Sequence, residues 1–187
     1  MESYKSDKIS VVIDPGHGGE DNGASHGYVD EDDINLAIAF YLGYELREAG
    51  ITYAMTRDKD EYVSLKQRAT FANMKSPDLF ISIHCDAFHK DTAHGMTVHT
   101  HIYPSLNTIR ASSIINKQLL TYFPLHRNRG IKKSNFYVLR KTFCPAVLVE
   151  CEFLSNPDTR KFLKKPENQK RMAQCLKRGM TLYLQEV

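Results

Sequence analysis

Short apolar runs that alternate with segments of helical periodicity constrain this chain more than any other feature. Ile9 to Asp14 is a largely β-branched run closed by the turn sequence Pro15-Gly16-His17-Gly18-Gly19. Beyond a glycine-rich loop, Ile34, Ala37, Ile38, Tyr41, Leu42, Leu46 and Ala49 recur at three- and four-residue steps, with acidic residues ahead of them and Gly50 just past them. That is the pattern of an amphipathic helix with start and stop signals. Ile51 to Thr56 predicts a second strand, and Ser64 with Gln67 three residues on predicts a capping box opening a helix that runs to about Met74. Leu79 to His84 reads as the next buried strand, and His94 to Tyr103 alternates more loosely. Leu106 to Tyr122 is helical, and Phe136 to Leu139 and Ala146 to Glu150 read as two more strands. Asn156 before Pro157 starts a short helix, and Glu167 to Leu184 is the closing helix. Strands that alternate with helices predict an α/β fold, a twisted, mostly parallel sheet with helices on both faces. At 187 residues, with no repeat or linker-like stretch, residues 1–187 form a single domain.

Composition removes several classes. With 42% hydrophobic and 25% charged residues, disorder, collagen-like repeats and coiled-coil rods fit poorly. The longest apolar runs, such as Ile9 to Ile13 and Ala146 to Val149, fall far short of the roughly 20 residues of a bilayer-spanning helix. A formal charge of +3 is too mild to imply nucleic acid as a partner. Cys85, Cys144, Cys151 and Cys175 form no CxxC pair or staple framework, which suits reduced thiols made in a cytoplasm. The amino-terminal MESYKSDKIS mixes charges of both signs and has no apolar stretch of a secretory signal.

Ligands of open α/β sheets gather beyond the carboxyl ends of the strands, and three strand exits carry ionisable groups. His17 follows the first strand, His84 ends the Leu79 strand and Glu150 ends the Ala146 strand. Two imidazoles and a carboxylate from neighbouring strands make a three-ligand open site suited to catalytic zinc, with water in the fourth position. The competing readings are hydrogen-bonded turn histidines and a solvated strand end. Asp30, Glu31, Asp32 and Asp33 crowd the start of the first helix, where the helix dipole stabilises negative charge, so these residues alone do not single out one as a ligand.

Several blocks in order carry a resemblance: Asp14-Pro15-Gly16-His17-Gly18-Gly19, Glu31-Asp32-Asp33-Ile34-Asn35-Leu36, Ser82-Ile83-His84, Asn128-Arg129-Gly130-Ile131, Phe136-Tyr137-Val138-Leu139, Leu148-Val149-Glu150 and Phe153-Leu154-Ser155-Asn156-Pro157. Collinear from about Ile9 to the end, they resemble the zinc-dependent N-acetylmuramoyl-L-alanine amidases, cell-wall hydrolases of bacteria and phages. The resemblance implies that His17, Glu31 and His84 bind Zn2+, that Glu150 is the catalytic carboxylate, and that the substrate is the amide between N-acetylmuramic acid and L-alanine in peptidoglycan. A zinc peptidase or deacetylase acting on another wall amide, and an inactive wall-binding module, are the alternatives. The expected setting is a monomeric phage or prophage endolysin held in the host cytoplasm until release to the wall, or an extracellular fragment of an exported enzyme.

The remaining candidates are weaker. Asp14 is expected either to orient His17 or to cap its turn. His99 and His101 share one face of a strand without an evident third ligand, and His26, His89, His94 and His126 lie in loops or at their edges. Cys85 and Cys151 should face away from His84 and Glu150. Arg127, Arg129, Lys132, Lys133, Arg140 and Lys141 form a basic cluster, read as a solvated face or as an attractor of wall polymer or muropeptide carboxylates.

Overall fold

A computed structural model of the chain describes residues 8–186. The amino-terminal segment read above as lacking a signal lies, through residue 7, outside the described residues. The elements run β1 (Val11–Pro15), α1 (Glu31–Glu48), β2 (Tyr53–Met55), α2 (Leu65–Lys75), β3 (Leu79–Asp86), β4 (Met96–Thr100), α3 (Leu106–Tyr122), β5 (Asn128–Lys133), α4 (Tyr137–Lys141), β6 (Ala146–Phe153), α5 (Pro157–Leu163) and α6 (Pro166–Leu184). The strands form one sheet in the order β2-β1-β3-β6-β4-β5. Every ladder is parallel except β4 against β6. No helix among the described residues is long and apolar enough to cross a membrane.

Alternating side chains divide the sheet into two unequal faces. Val11, Ile13, Leu79, Ile81, Ile83, Val147 and Val149 pack with Ile38, Leu42 and Leu46 of α1, Ile115 of α3 and Leu176 of α6 in the main core. Cys85 and Cys151 lie in this cluster, on the side opposite His84 and Glu150, as the alternation requires. The other face holds a smaller cluster, in which Val12, Phe80, Ala146 and Leu148 pack against Ala72 of α2 and Val138 and Leu139 of α4. Two short helices cannot cover that face. Its carboxyl-terminal half, where Asp14, Ser82, His84 and Glu150 follow the buried residues by steps of two, is left open for a site.

The capping box forms as expected: Gln67 N donates to Ser64 Oγ, and Gln67 Oε1 accepts from Ser64 N. Asn156 Oδ1 likewise caps α5 by accepting from the amides of Asp158 and Thr159. One expectation fails, and one strand is unforeseen. Phe136 to Leu139 does not form a strand; it leads into the one-turn helix α4, closed by Arg140 N donating to Phe136 O at 3.0 Å. A short apolar pair is buried equally well by a helical turn, and here packing against Ala72 and Phe80 decides. Strand β5, in contrast, is absent from the sequence reading because Asn128 to Lys133 has no buried apolar face; it is a charged edge strand.

Candidate active site and metal centre

The turn after β1 is held open by absence of side chains and by two buried arginines. A Cβ on Gly16 would lie 2.2 Å from the His84 ring, so only glycine lets that imidazole pack against the turn. His17 takes a left-handed φ of 59°, a strained value for a residue with a Cβ, which aims its ring towards β3. The backbone carbonyls exposed by this turn are collected by guanidinium groups. Arg57 donates to Pro15 O, Gly16 O and Asp32 O, and Arg68 to Pro15 O and His17 O.

Arg68 also pairs with Asp14 at 2.8 Å, and the Asp14 carboxylate accepts from Thr56 Oγ1 and Ser82 Oγ as well. Asp14 therefore does not orient His17, because its oxygens are taken up by the clamp. That position belongs to Asp21, whose Oδ2 lies 2.9 Å from His17 Nδ1. With Nδ1 donating to Asp21, Nε2 is the ring nitrogen turned towards Glu31 and the interior of the site.

Of the four acidic residues at the start of α1, Glu31 is the one that reaches both histidines. Its Oε2 is 3.3 Å from His17 Nε2 and accepts from Ala24 N; its Oε1 is 2.9 Å from His84 Nδ1 and accepts from Cys85 N and Asn35 Nδ2. Asp30 bonds Ser25, Asp33 is exposed, and Asp32 offers its carbonyl to Arg57. Ligand atoms of His17, Glu31 and His84 all lie within 4.8 Å of one another. Burial disfavours charge on His17, yet its hydrogen bonds to Glu31 and Asp21 outweigh this and raise its pKa to about 9. Burial likewise opposes ionisation of Glu31, but the two imidazoles hold its carboxyl well below the usual carboxylate range. An anionic carboxylate between two imidazoles, fixed by backbone amides, is a nitrogen and oxygen donor set that fits zinc. A dication would displace the proton that the same field keeps on His17.

Glu150 is opposite His84 in the β3–β6 ladder and opposite Thr97 in the β4–β6 ladder. Its residue as a whole is half-buried, but its Oε2 atom is enclosed without a hydrogen-bond partner, as is Thr97 Oγ1. Burial pushes its carboxyl well above the ordinary range; Asp86 and Glu31 add to the shift and Lys132 opposes it. A buried polar atom left unpaired in a cleft is poised for a guest that supplies the missing bond. The cleft, about 280 Å3, is lined by His17, His84 and Glu150 and on its apolar side by Tyr62, Val63, Phe136 and Tyr137.

Other charged groups named from the sequence lie apart. His99 is buried in β4 with Nδ1 2.7 Å from Ser134 Oγ; burial and the charge of Lys132 lower its pKa to about 4. His101 falls beyond the strand end, so the two do not form a shared ligand face. His126 serves a structural carboxylate: Glu152, fully buried, accepts from His126 Nδ1 and from the amides of Gly95 and Phe153. Sequence reasoning missed Asp21, Asn35, Arg57 and Arg68. The first two follow a site residue by four positions, a helix-like spacing that offered a signal; the arginines act on carbonyls twenty-five to fifty-three residues away and offered none.

Comparison with known proteins agrees with the geometry. Residues 11–181 match the N-acetylmuramoyl-L-alanine amidase family. The chain is 34% identical over 174 residues to the uncharacterized protein YqiI of Bacillus subtilis, covering 93% of this chain and 84% of that one. It is 38% identical over 180 residues to the probable cell wall amidase LytH of Staphylococcus aureus, covering 93% of this chain but only 58% of LytH. Among solved structures, an N-acetylmuramoyl-L-alanine amidase from Clostridium difficile 630 superposes with a TM-score of 0.92 at 34% identity, over 96% of this chain and 98% of that one. A match across nearly the whole sheet and its helices, in sequence and in fold, places this chain in the N-acetylmuramoyl-L-alanine amidase family of cell-wall hydrolases.

Proposed function

We propose that this chain hydrolyses the amide between N-acetylmuramic acid and L-alanine in peptidoglycan with zinc held by His17, Glu31 and His84 and with Glu150 as the general base. The observation that carries the reading is the enclosed, unpartnered Glu150 Oε2 beside the three-donor cluster. A zinc ion held there supplies a Lewis acid that activates water and stabilises negative charge developing on the carbonyl. Glu150 Oε2 takes the proton of the attacking water as its oxygen bonds to the lactyl carbonyl carbon. As the carbon–nitrogen bond breaks, Glu150 returns that proton to the departing L-alanine nitrogen. Asp21 keeps His17 in the tautomer that leaves Nε2 free, and Asn35 with the Cys85 amide fixes Glu31.

Zinc content tests the donor set. The purified protein should hold about one equivalent, and His84→Ala should lose most of it; full occupancy in that variant would show that the ligands lie elsewhere. End-group analysis tests the bond. Digested peptidoglycan should retain intact glycan strands and gain stem peptides with free L-alanine amino termini. New reducing sugars, released acetate or amino groups on other residues as the main product would point to a glycosidase, a deacetylase or an endopeptidase. Zinc retained at about one equivalent with no hydrolysis at all would indicate a wall-binding module. The finer reading, an endolysin kept in the cytoplasm until the membrane is breached, is tested by fractionating producing cells before and after lysis.

A further inference from the structure

The face of β4 and β5 turned away from Glu150 carries a second cleft, of about 580 Å3, between the sheet edge and α3. In the ladders Lys132 pairs with His99 and His99 with Leu148, so these side chains share the Glu150 face. Ile131 and Lys133 alternate to the other face, where they line the cleft with Ile109 of α3 and with Ile102 and Tyr103 of the loop after β4. Ile109 and Ile131 are half exposed and Tyr103 is 83% exposed. Apolar surface is thus left to solvent in a concave site, the mark of an interaction surface.

Beside this cleft the sheet is unfinished. Strand β5 is last in the order, with no strand beyond it among the described residues. Ser134 N donates to Thr100 O at 2.8 Å. Successive residues of a strand turn their backbone groups to opposite sides, so Lys132 also faces β4, and Ile131 and Lys133 present N–H and C=O to the open edge. The same two residues therefore offer a ladder to pair with and a cleft for the side chains of whatever pairs. Charge then selects the partner. Arg129, Lys132 and Lys133 are the charged residues of β5, and no carboxylate among the described residues lies within ion-pair distance of them. Edge lysines repel another cationic strand, which disfavours β5 of a second copy. An acidic strand gains from the same charges.

We propose that the β5 edge and the α3 cleft together form a docking site for an extended acidic segment of a partner protein. The segment adds a strand beside β5, hydrogen-bonded at Ile131 and Lys133. One of its apolar side chains seats between Ile109, Ile102 and Tyr103, and a carboxylate lies against Lys133. Because this cleft and the one holding Glu150 open on opposite faces of the sheet, the segment and a substrate occupy separate places. The inference is independent of which bond the enzyme cuts.

The test uses the full chain and synthetic peptides that alternate valine with glutamate, serine or lysine. The glutamate peptide should bind and slow hydrogen exchange at the Ile131 and Lys133 amides, the serine peptide should bind more weakly, and the lysine peptide should not bind. Salt should weaken the glutamate complex. Methylating the peptide nitrogens that face β5 should weaken it about tenfold or more, by removing hydrogen bonds and blocking approach, whereas methylating the alternate nitrogens should not. These methylated peptides probe the contact without altering the chain. Lys133→Gln should weaken binding about two- to fivefold, the range of a partly solvated ion pair, and Ile109→Ala should also weaken it. Lys75→Gln, at the end of α2, should leave it unchanged. Equal binding of the lysine peptide, indifference to both sets of methyl groups, or protection at the β2 edge instead of β5 overturns the proposal. So does the absence of saturable binding by any of the peptides. Self-association that protects the same two amides without peptide would make a second copy the occupant and overturn it as well.

Discussion

Replacing Glu150 by glutamine should lower the rate of amide hydrolysis by at least about a hundredfold, the low end for a positioned acid–base group, while zinc content and fold persist. Glutamine keeps the shape of the side chain but cannot take up a proton. Because Glu150 is not among the three clustered donors, metal should stay at about one equivalent, whereas Glu31→Ala should lose it. Burial raises the Glu150 carboxyl, so its folded pKa lies above its unfolded one and its ionisation costs stability as pH rises past the ordinary carboxylate range. The neutral variant removes that cost, and its Tm at neutral pH should be unchanged or higher, a common trade of stability against activity. A base must be ionised to act, so wild-type activity should fall as pH drops through a midpoint above that of an exposed glutamate. Loss of zinc in Glu150→Gln with its retention in Glu31→Ala would exchange the two roles.

What could be read in the sequence follows the range over which each signal acts. Strands β1, β3 and β6 announce themselves because both their faces are buried, leaving uninterrupted apolar runs. The caps at Ser64 and Asn156 are legible because their partners lie within three residues. Strand β5 has no apolar side to show, and the Phe136 segment is too short for its period to be told from its neighbours' packing. The same limit explains the site. His17, His84 and Glu150 stand out as ionisable residues at strand exits. By residue type and position Glu31 does not stand out from Asp30, Asp32 and Asp33; only the family resemblance singles it out, and the amides of Ala24 and Cys85 that donate to its two oxygens are what fix it in place. Asp14, adjacent to the turn and acidic, is suited by sequence either to orient His17 or to cap its turn. It is engaged instead by a guanidinium fifty-four residues away, a contact with no local trace.

That distant guanidinium carries the largest expected loss of stability. Arg68→Ala should lower the Tm by about 6 to 20 °C, because removing one member of a buried ion pair costs about 3–5 kcal/mol and each kcal/mol shifts a domain of this size by about 2–4 °C. Both side chains are almost fully enclosed, 3% and 1% exposed for Arg68 and Asp14. The Asp14 charge would then be left with only the hydroxyls of Thr56 and Ser82. Lysine should not rescue the loss. A single ammonium cannot reproduce the fork that reaches Asp14, Pro15 O and His17 O while its Nε holds Val63 O. Adding Asp14→Asn to Arg68→Ala should recover part of the Tm by removing the uncompensated charge, a non-additivity expected only of partners in contact. The carbonyl of His17 would lose its anchor in all three variants, so zinc should also leave more readily than from the wild type on dialysis against a chelator, though far less readily than from His84→Ala. Thermal unfolding with metal removed separates the two effects. A Tm for Arg68→Ala within a degree or two of wild type would mean that the turn carrying His17 is held by Arg57 and the sheet alone.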